Sequence, residues 1–169
     1  DVTSGIIIDG YNDITIRNCN ISNFSIGMQV ANANNTQIID NNISVHSNIA
    51  VDAYGIISDS TSDTNISNNI LSDIYCESNC GDSNGAYGIW VGSNGASNNH
   101  NNLIADNTVE RIISAGNVWG IYVGGGFDYN NTNNTVSGNV INNITSNIDD
   151  KFAAGILQSG SPNIVIVDN

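Results

Sequence analysis

Basic residues are scarce in this chain of 169 residues, which has three Lys and Arg against sixteen Asp and Glu. The formal net charge of -13 repels the phosphates of nucleic acids and anionic membrane surfaces. Proline occurs once, and no Pro-rich or highly charged linker divides the chain. We therefore predict a single domain over residues 1–169 and exclude nucleic acid as a partner.

Long apolar runs are also lacking, because no stretch approaches the roughly 20 apolar residues that cross a bilayer. Membrane insertion is therefore excluded from the expectations. Charged residues make up only 11% of the chain, so solubility depends on neutral polar side chains, chiefly Asn. Ile and Val recur in short strand-like runs throughout, a pattern that a disordered chain would lack.

One short phrase, Gly followed by Ile or Met, returns six times at intervals of 22 to 35 residues. The phrase occurs at Gly5-Ile6, Gly27-Met28, Gly55-Ile56, Gly88-Ile89, Gly120-Ile121 and Gly155-Ile156. Between these marks an Ile/Val run leads into Asn, as in Ile14–Asn18, Gln37–Ile43 and Asn65–Ile70. Downstream it recurs at 102–107, 135–140 and 163–169.

Short β-branched runs in a fixed order per repeat predict strands that stack as the coils of a solenoid. The predicted fold is all-β, a parallel β-helix of about six coils with Asn-rich turns. At about 4.8 Å per coil, the stack would be about 29 Å tall. Asn tolerates left-handed turns and can bond its copy one coil away, which predicts an internal Asn ladder. The alternative is that these Asn residues are exposed turn residues without mutual contact.

In its Gly-Ile and Asn-Asn-x-Ile phrases the chain resembles the pectate-lyase-like superfamily of right-handed parallel β-helices. The resemblance extends over essentially all 169 residues and implies a right-handed coil. It is specific for architecture rather than for function, because the superfamily includes polysaccharide lyases, hydrolases, esterases, adhesins, phage tailspikes and archaeal surface-layer or sheath proteins.

The residues needed for catalysis in that fold are sparse. Similarity to its polysaccharide lyases would imply an Arg or Lys base with Ca²⁺-binding carboxylates, and only Arg17, Arg111 and Lys151 are basic. We place Arg111 in a connection and expect no two basic residues on one strand face. His46 and His100 are isolated and predicted to lie in loops, without a nucleophile at a recognisable spacing. We therefore assign no catalytic residue, no metal and no cofactor, and the sequence leans against an enzyme.

The low Lys content and net acidity of the chain fit a salty or extracellular setting. Cys76 and Cys80 bracket a short polar loop and are predicted to form a local disulfide. Cys19 is left over, either a buried small side chain or a thiol that cross-links subunits. Asn-x-Ser/Thr motifs make N-glycosylation an option at Asn20, Asn23, Asn34, Asn42, Asn65, Asn130, Asn133 and Asn143. The predicted location is extracellular or on the cell surface.

Strand alternation sends the residues on either side of each Gly-Ile pair outward. Five aromatic residues would then form one exposed platform over three successive coils: Tyr54, Tyr87, Trp90, Trp119 and Tyr122. Such a platform would suit a lateral protein contact or the flat face of a sugar. Alternatively, the long connections at 71–86 and 141–153 fold back and cover it.

The two ends of the sequence show no charged or helical cap. Residues 166–169 followed by residues 1–6 read like an internal coil. This predicts an extracellular structural subunit that stacks head to tail on further copies of itself into a fibre, sheath or surface layer, with lateral contacts as a further option. The alternatives are a piece of a longer β-helix, a carbohydrate-binding or carbohydrate-active β-helix with glycans as partners, and an adhesin segment.

Overall fold

The computed structural model describes residues 3–47, 51–77, 85–93, 99–125, 131–160 and 163–169, and these residues form strands without a helix. Three parallel sheets run along the molecule, here named A, B and C, and each of the first five coils contributes one strand to each sheet in that order. Sheet A consists of β1 (Ser4–Asp9), β4 (Ile26–Ala31), β7 (Ala53–Asp59), β10 (Gly85–Ser93), β14 (Asn117–Gly125) and β18 (Ala153–Ser159).

Sheet B consists of short strands: β2 (Thr15–Arg17), β5 (Gln37–Ile39), β8 (Asn65–Ser67), β12 (Leu103–Ala105), β16 (Thr135–Ser137) and β19 (Val165–Val167). Sheet C has one strand fewer: β3 (Asn20–Phe24), β6 (Asn42–Ser47), β9 (Ile70–Cys76), β13 (Thr108–Ser114) and β17 (Val140–Ser146). A two-stranded pair, β11 (Asn99–His100) with β15 (Asn131–Thr132), lies between sheets A and B. The predicted right-handed parallel β-helix of about six coils is confirmed.

The Gly-Ile phrases define the register of sheet A. The residues after the six glycines pair in one column: Ile6, Met28, Ile56, Ile89, Ile121 and Ile156. Met28, Ile56, Ile89 and Ile121 are fully buried in the main core. The repeat seen in the sequence is therefore the stacking register of the fold.

Glycine is required in this phrase because consecutive coils approach closely there. A Cβ at Gly55 would lie 2.5 Å from the carbonyl oxygen of Gly88 in the next coil and 2.5 Å from Leu71 Cδ2. A Cβ at Gly120 would lie 2.5 Å from the carbonyl oxygen of Gly155. Real Cβ atoms do not reach such distances, so any larger residue would push the coils apart.

The predicted Asn ladder is present, and all its members except the exposed Asn169 are buried. In each step the backbone N–H of one ladder Asn donates to the side-chain oxygen of the Asn in the next coil. The ladder consists of Asn41, Asn69, Asn107, Asn139 and Asn169. Each side chain also donates to a backbone carbonyl of the preceding coil, as Asn69 Nδ2 does to the Ile38 oxygen at 2.9 Å. The ladder thereby satisfies backbone groups that a tight turn would leave unpaired.

Two further columns of turn residues have left-handed backbones, with φ between 53° and 65°. At the corner between sheets A and B the column is Asp13, Asn35, Asp63, Asn101, Asn133 and Asn163. At the corner between sheets B and C it is Asn18, Asp40, Asn68, Asp106, Gly138 and Asp168. Neutral residues separate the acids in both columns, and Asn35 Nδ2 donates to Asp13 at 2.7 Å. This alternation keeps carboxylates about two coil spacings apart, which reduces their mutual repulsion.

The strands at the two ends of the stack have a neighbouring strand on one side only among the described residues. β1, β2 and β3 form one end, and β17, β18 and β19 form the other. Of ten exposed large hydrophobic side chains, eight lie on these strands or the segments next to them: Ile7, Tyr11, Val140, Ile148, Phe152, Val165, Ile166 and Val167. Ile166 continues the buried core column that contains Val136, and it is 44% exposed within the part of the chain that the structure describes.

We expect the Asn69→Ala substitution to lower the free energy of unfolding by about 3 kcal/mol, because it leaves buried backbone and amide groups unpaired. The matched change Asn142→Ala, at an exposed position of β17, should cost less than about 0.5 kcal/mol. Urea denaturation followed by circular dichroism measures both. Equal stabilities for the two variants would contradict a stabilising role for the ladder.

Candidate contact surfaces

The five predicted platform residues align as expected on the outer side of sheet A. Tyr54, Tyr87 and Trp119 form one column, and Trp90 and Tyr122 form the next. The rings stack on one another, with centroids 4.6 Å apart for Tyr54 and Tyr87 and 4.5 Å apart for Tyr87 and Trp119. Trp90 and Tyr122 are nearly parallel, with centroids 6.2 Å apart. This arrangement forms a second hydrophobic cluster, outside the main core.

The expected exposure of this platform is corrected by the structure. Tyr87, Trp90 and Trp119 are only 9%, 8% and 8% exposed. Ring–ring contacts already occupy both faces of Tyr87, so a sugar has no open face there. Burial, followed by a hydrogen bond of 2.6 Å to Asp52, raises the pKa of the Tyr54 hydroxyl. Burial likewise raises the pKa of Tyr87.

Two long connections, 71–86 and 141–153, were the alternative expected to cover the outer side of sheet A. Residues 71–76 and 141–146 of these segments belong to β9 and β17, which build sheet C rather than fold over sheet A. Residues 78–84 of the first segment lie outside the described residues.

A charged cluster lies on the outer side of sheet C, at the middle of the stack. Arg111 is in β13, so its placement in a connection was wrong. Its guanidinium donates to both oxygens of Asp73, at 2.8 and 2.9 Å, and to Glu110 at 2.5 Å. Asp73 and Glu110 come from neighbouring coils. A further polar contact lies on the same face, where His46 Nε2 is 2.9 Å from Glu77 Oε1.

Tyr75 lies beside this cluster and lines a groove. The loop placement of both histidines was also wrong, because His46 is in β6 and His100 is in β11. His46 packs edge-on against Tyr75 with centroids 6.0 Å apart. The groove has a volume of about 410 Å³ and is lined by Tyr75, Cys76, Glu77, Ile113 and Asn147. We name the groove with the Arg111 cluster the sheet C patch.

The charges of the patch act on its titrating groups. Hydrogen bonds from the Arg111 guanidinium hold the pKa of Asp73 below its ordinary value. Desolvation, then the neighbouring Asp73, raises the pKa of Tyr75. Asp73 therefore stays ionised and serves as a hydrogen-bond acceptor rather than as a proton donor.

Sequence reasoning missed this patch because it aligned the coils only by their Gly-Ile and Asn phrases. Asp73 and Arg111 both have left-handed backbones, with φ of 56° and 53°, and both precede a paired core residue, Ile74 or Ile112. Asp73 and Arg111 are extra residues that bulge out of their strands. The second coil lacks this extra residue, since Phe24 of β3 pairs with Val45 of β6 after a register shift. An alignment of the third strands would have put opposite charges in one column.

Cys19 is a free, half-buried cysteine at the first position of the ladder, where later coils have Asn. Its backbone N–H donates to Asn41 Oδ1 at 3.0 Å, as the ladder residues do. Cys76 is buried in β9. Cys80 lies outside the described residues, so the Cys76–Cys80 disulfide stays a prediction.

The glycosylation motifs differ in accessibility. Asn65 is half-buried, donates to Gln37 Oε1 at 3.1 Å and has a buried amide oxygen, which disfavours a glycan there. Asn34 and Asn133 are exposed and bonded to neighbouring coils. The other described motif residues are exposed: Asn20, Asn23, Asn42 and Asn143. Asn130 lies outside the described residues. Glycosylation stays a prediction at the exposed positions.

Comparisons with known proteins add no identity: neither the family models nor the curated proteins contain a match. Over the described residues, no cluster of three or more His, Cys, Asp or Glu side chains is arranged to hold a metal ion. Nor does this part of the chain contain a helix of the length and apolarity needed to cross a membrane.

Arg111→Gln should lower thermal stability at neutral pH and have little effect in acid. Since Arg111 lowers the pKa of Asp73, the ion pair contributes fully above the ordinary aspartate pKa of about 3.9 and is lost as the pH falls through the lower folded value. Melting temperatures of wild type and variant between neutral pH and acid measure this. The control Arg17→Gln should show a difference that does not depend on pH. A gap for Arg111→Gln that is unchanged in acid would contradict the assignment.

Proposed function

We propose that this protein is an extracellular structural subunit that assembles by stacking coil on coil into a fibre, sheath or surface layer. The observation that carries the proposal is the concentration of exposed apolar side chains at the two ends of the stack, where β1, β2, β18 and β19 are edge strands among the described residues. Unpaired strand edges are templates for another strand, and a second copy supplies a matching edge.

The two ends fit this assembly in sheets A and B. Each of these sheets has six strands, so β1 of one copy can pair with β18 of another, and β2 with β19. Sheet C ends one strand lower, at β17, which leaves an opening one strand deep on the third face. The proposed contact therefore runs through two sheets.

A non-catalytic role fits the charges on the described surface. Arg111, the basic side chain on the outer side of sheet C, is bound by Asp73 and Glu110. A lyase-type base has to be free to take a proton from the sugar, and a guanidinium held by two carboxylates stays protonated. The same geometry keeps Asp73 ionised, so it does not fit the proton donor of a glycoside hydrolase.

Membership of the pectate-lyase-like superfamily is part of this proposal. Three sheets, a Gly-Ile column and a buried Asn ladder support it, as does the match between the sequence phrases and the coil register. The proposed extracellular location rests on the composition, since low Lys content and a net charge of -13 fit a salty or extracellular setting.

Sedimentation velocity of the purified chain at increasing concentration tests the assembly. We expect a series of oligomers that grows with concentration. Raising the salt should strengthen association, because it screens the repulsion between copies that each carry a charge of -13. A monomer at all concentrations and both low and high salt would overturn the proposal.

Carbohydrate binding at the sheet C patch is the second candidate function. Tyr75 offers a partly exposed ring, and Glu77, Asn147 and the Arg111 cluster surround it with donors and acceptors for sugar hydroxyls. Aromatic rings flanked by such groups suit pyranose rings. The sheet A column, which the sequence favoured for this role, has its rings stacked on each other.

Calorimetric titration with cellohexaose, maltohexaose and chitohexaose tests this candidate. Tyr75→Ala should weaken binding by about fivefold, since the ring contact is lost. The control Tyr11→Ala alters an exposed ring on the first coil, which is 68% exposed, and should leave the affinity unchanged. Absence of saturable heat with wild type at millimolar sugar would exclude the patch as a site for these glycans.

A further inference from the structure

In the part of the chain that the structure describes, Gly155 is the glycine of the Gly-Ile column that has no backbone packed against the place of a Cβ. At each earlier Gly of the column, a Cβ would collide with the backbone of the next coil. At Gly120, for example, it would lie 2.5 Å from the carbonyl oxygen of Gly155. Among the described residues, the nearest atom to a Cβ at Gly155 is Ile141 Cγ2, at an ordinary 3.7 Å. Its backbone is not left-handed either, unlike that of Gly160, with φ of 63°. Within the described residues, alanine would therefore fit at position 155.

We propose that the carbonyl of Gly5 in a second copy occupies this place, so that copies stack head to tail in the register of the internal coils. This inference rests on the proposed function and specifies its interface. β1 of the second copy then pairs with β18 as β18 pairs with β14, and Ile6 extends the core column above Ile156. Gly155 is the residue that lets the two copies approach to one coil spacing.

Charge complementarity at this junction favours a second copy as the occupant. In the proposed register Asn163 faces Asp13 of the second copy, and Asp168 faces its Asn18. Both turn columns thus continue the internal rule that no acid lies directly above another acid. Asn35 already donates to Asp13 inside the subunit, which shows that this turn carboxylate accepts an amide from an adjacent coil. For a chain with sixteen acids, a junction without facing carboxylates reduces the repulsion that opposes assembly.

The Asn ladder makes the junction weaker than an internal contact. Asn169 ends the ladder, and the proposed register brings Cys19 of the second copy above it, where internal coils have an amide oxygen. A thiol is a weak hydrogen-bond acceptor, so the backbone N–H of Asn169 forms at most a weak hydrogen bond with Cys19 of the second copy. The junction is therefore reversible, unlike the internal coils, which are held by complete ladder bonds.

The first test is Gly155→Ala, followed by sedimentation velocity and thermal unfolding. The variant should melt at the same temperature as the wild-type subunit and lose association by at least about tenfold, because its Cβ meets the backbone of the next copy. Ala154→Ser, on the outward side of the same strand, is the matched control and should associate like wild type.

The second test is Cys19→Asn, which adds an amide at the first ladder position. If the proposed register is right, the association constant should rise about tenfold, since the new amide oxygen accepts the Asn169 N–H and side-chain N–H of the neighbouring copy. Cys19→Ser removes the thiol without adding an amide and should not give this gain.

The outcomes separate the interface from the function. If wild type associates and neither Gly155→Ala nor Cys19→Asn changes it, the register is wrong while stacking survives. If wild type stays monomeric and Cys19→Asn does too, both the register and the proposed function fail. Loss of association in Gly155→Ala, with its gain in Cys19→Asn, supports both.

Discussion

Parallel backbone pairing at one coil spacing is the constraint on which the rest of this structure depends. The coils approach so closely at the Gly column that a single added Cβ at Gly55 or Gly120 would contact the next backbone. That approach places Ile over Ile in the core and aligns the Asn amides so that each reaches the coil beside it. The repeats in the sequence, the packing of the core and the hydrogen bonds of the Asn ladder thus all follow from the spacing between consecutive coils.

The same distance explains the unusual composition. Identical positions recur about 4.8 Å apart, so charged residues in a column would repel their own copies. Neutral amides avoid this penalty and bond along the column, and the acids that remain alternate with neutral residues at both turn corners. The described ion pairs gather on sheet C, where Asp73 and Arg111 place opposite charges in one column.

The fold followed from the sequence because each coil repeats the phrases that form its closest contacts. The same alternation correctly aligned Tyr54, Tyr87 and Trp119, but it contained no information on ring stacking, so their burial was missed. The sheet C patch was missed for another reason. Its bulge residues, such as Arg111, have left-handed backbones outside strand alternation, and one coil lacks the position altogether. The ion pair of Arg111 with Asp73 joins residues 38 positions apart, which a local sequence pattern does not reveal.

Electron microscopy of the protein as isolated from its source tests the central claim of coil-on-coil assembly most directly. Six coil levels at about 4.8 Å predict filaments or walls with an axial repeat close to 29 Å per subunit. Such a repeat would identify stacking as the native state of the protein. Dispersed single particles, or filaments whose repeat is unrelated to this height, would contradict the account.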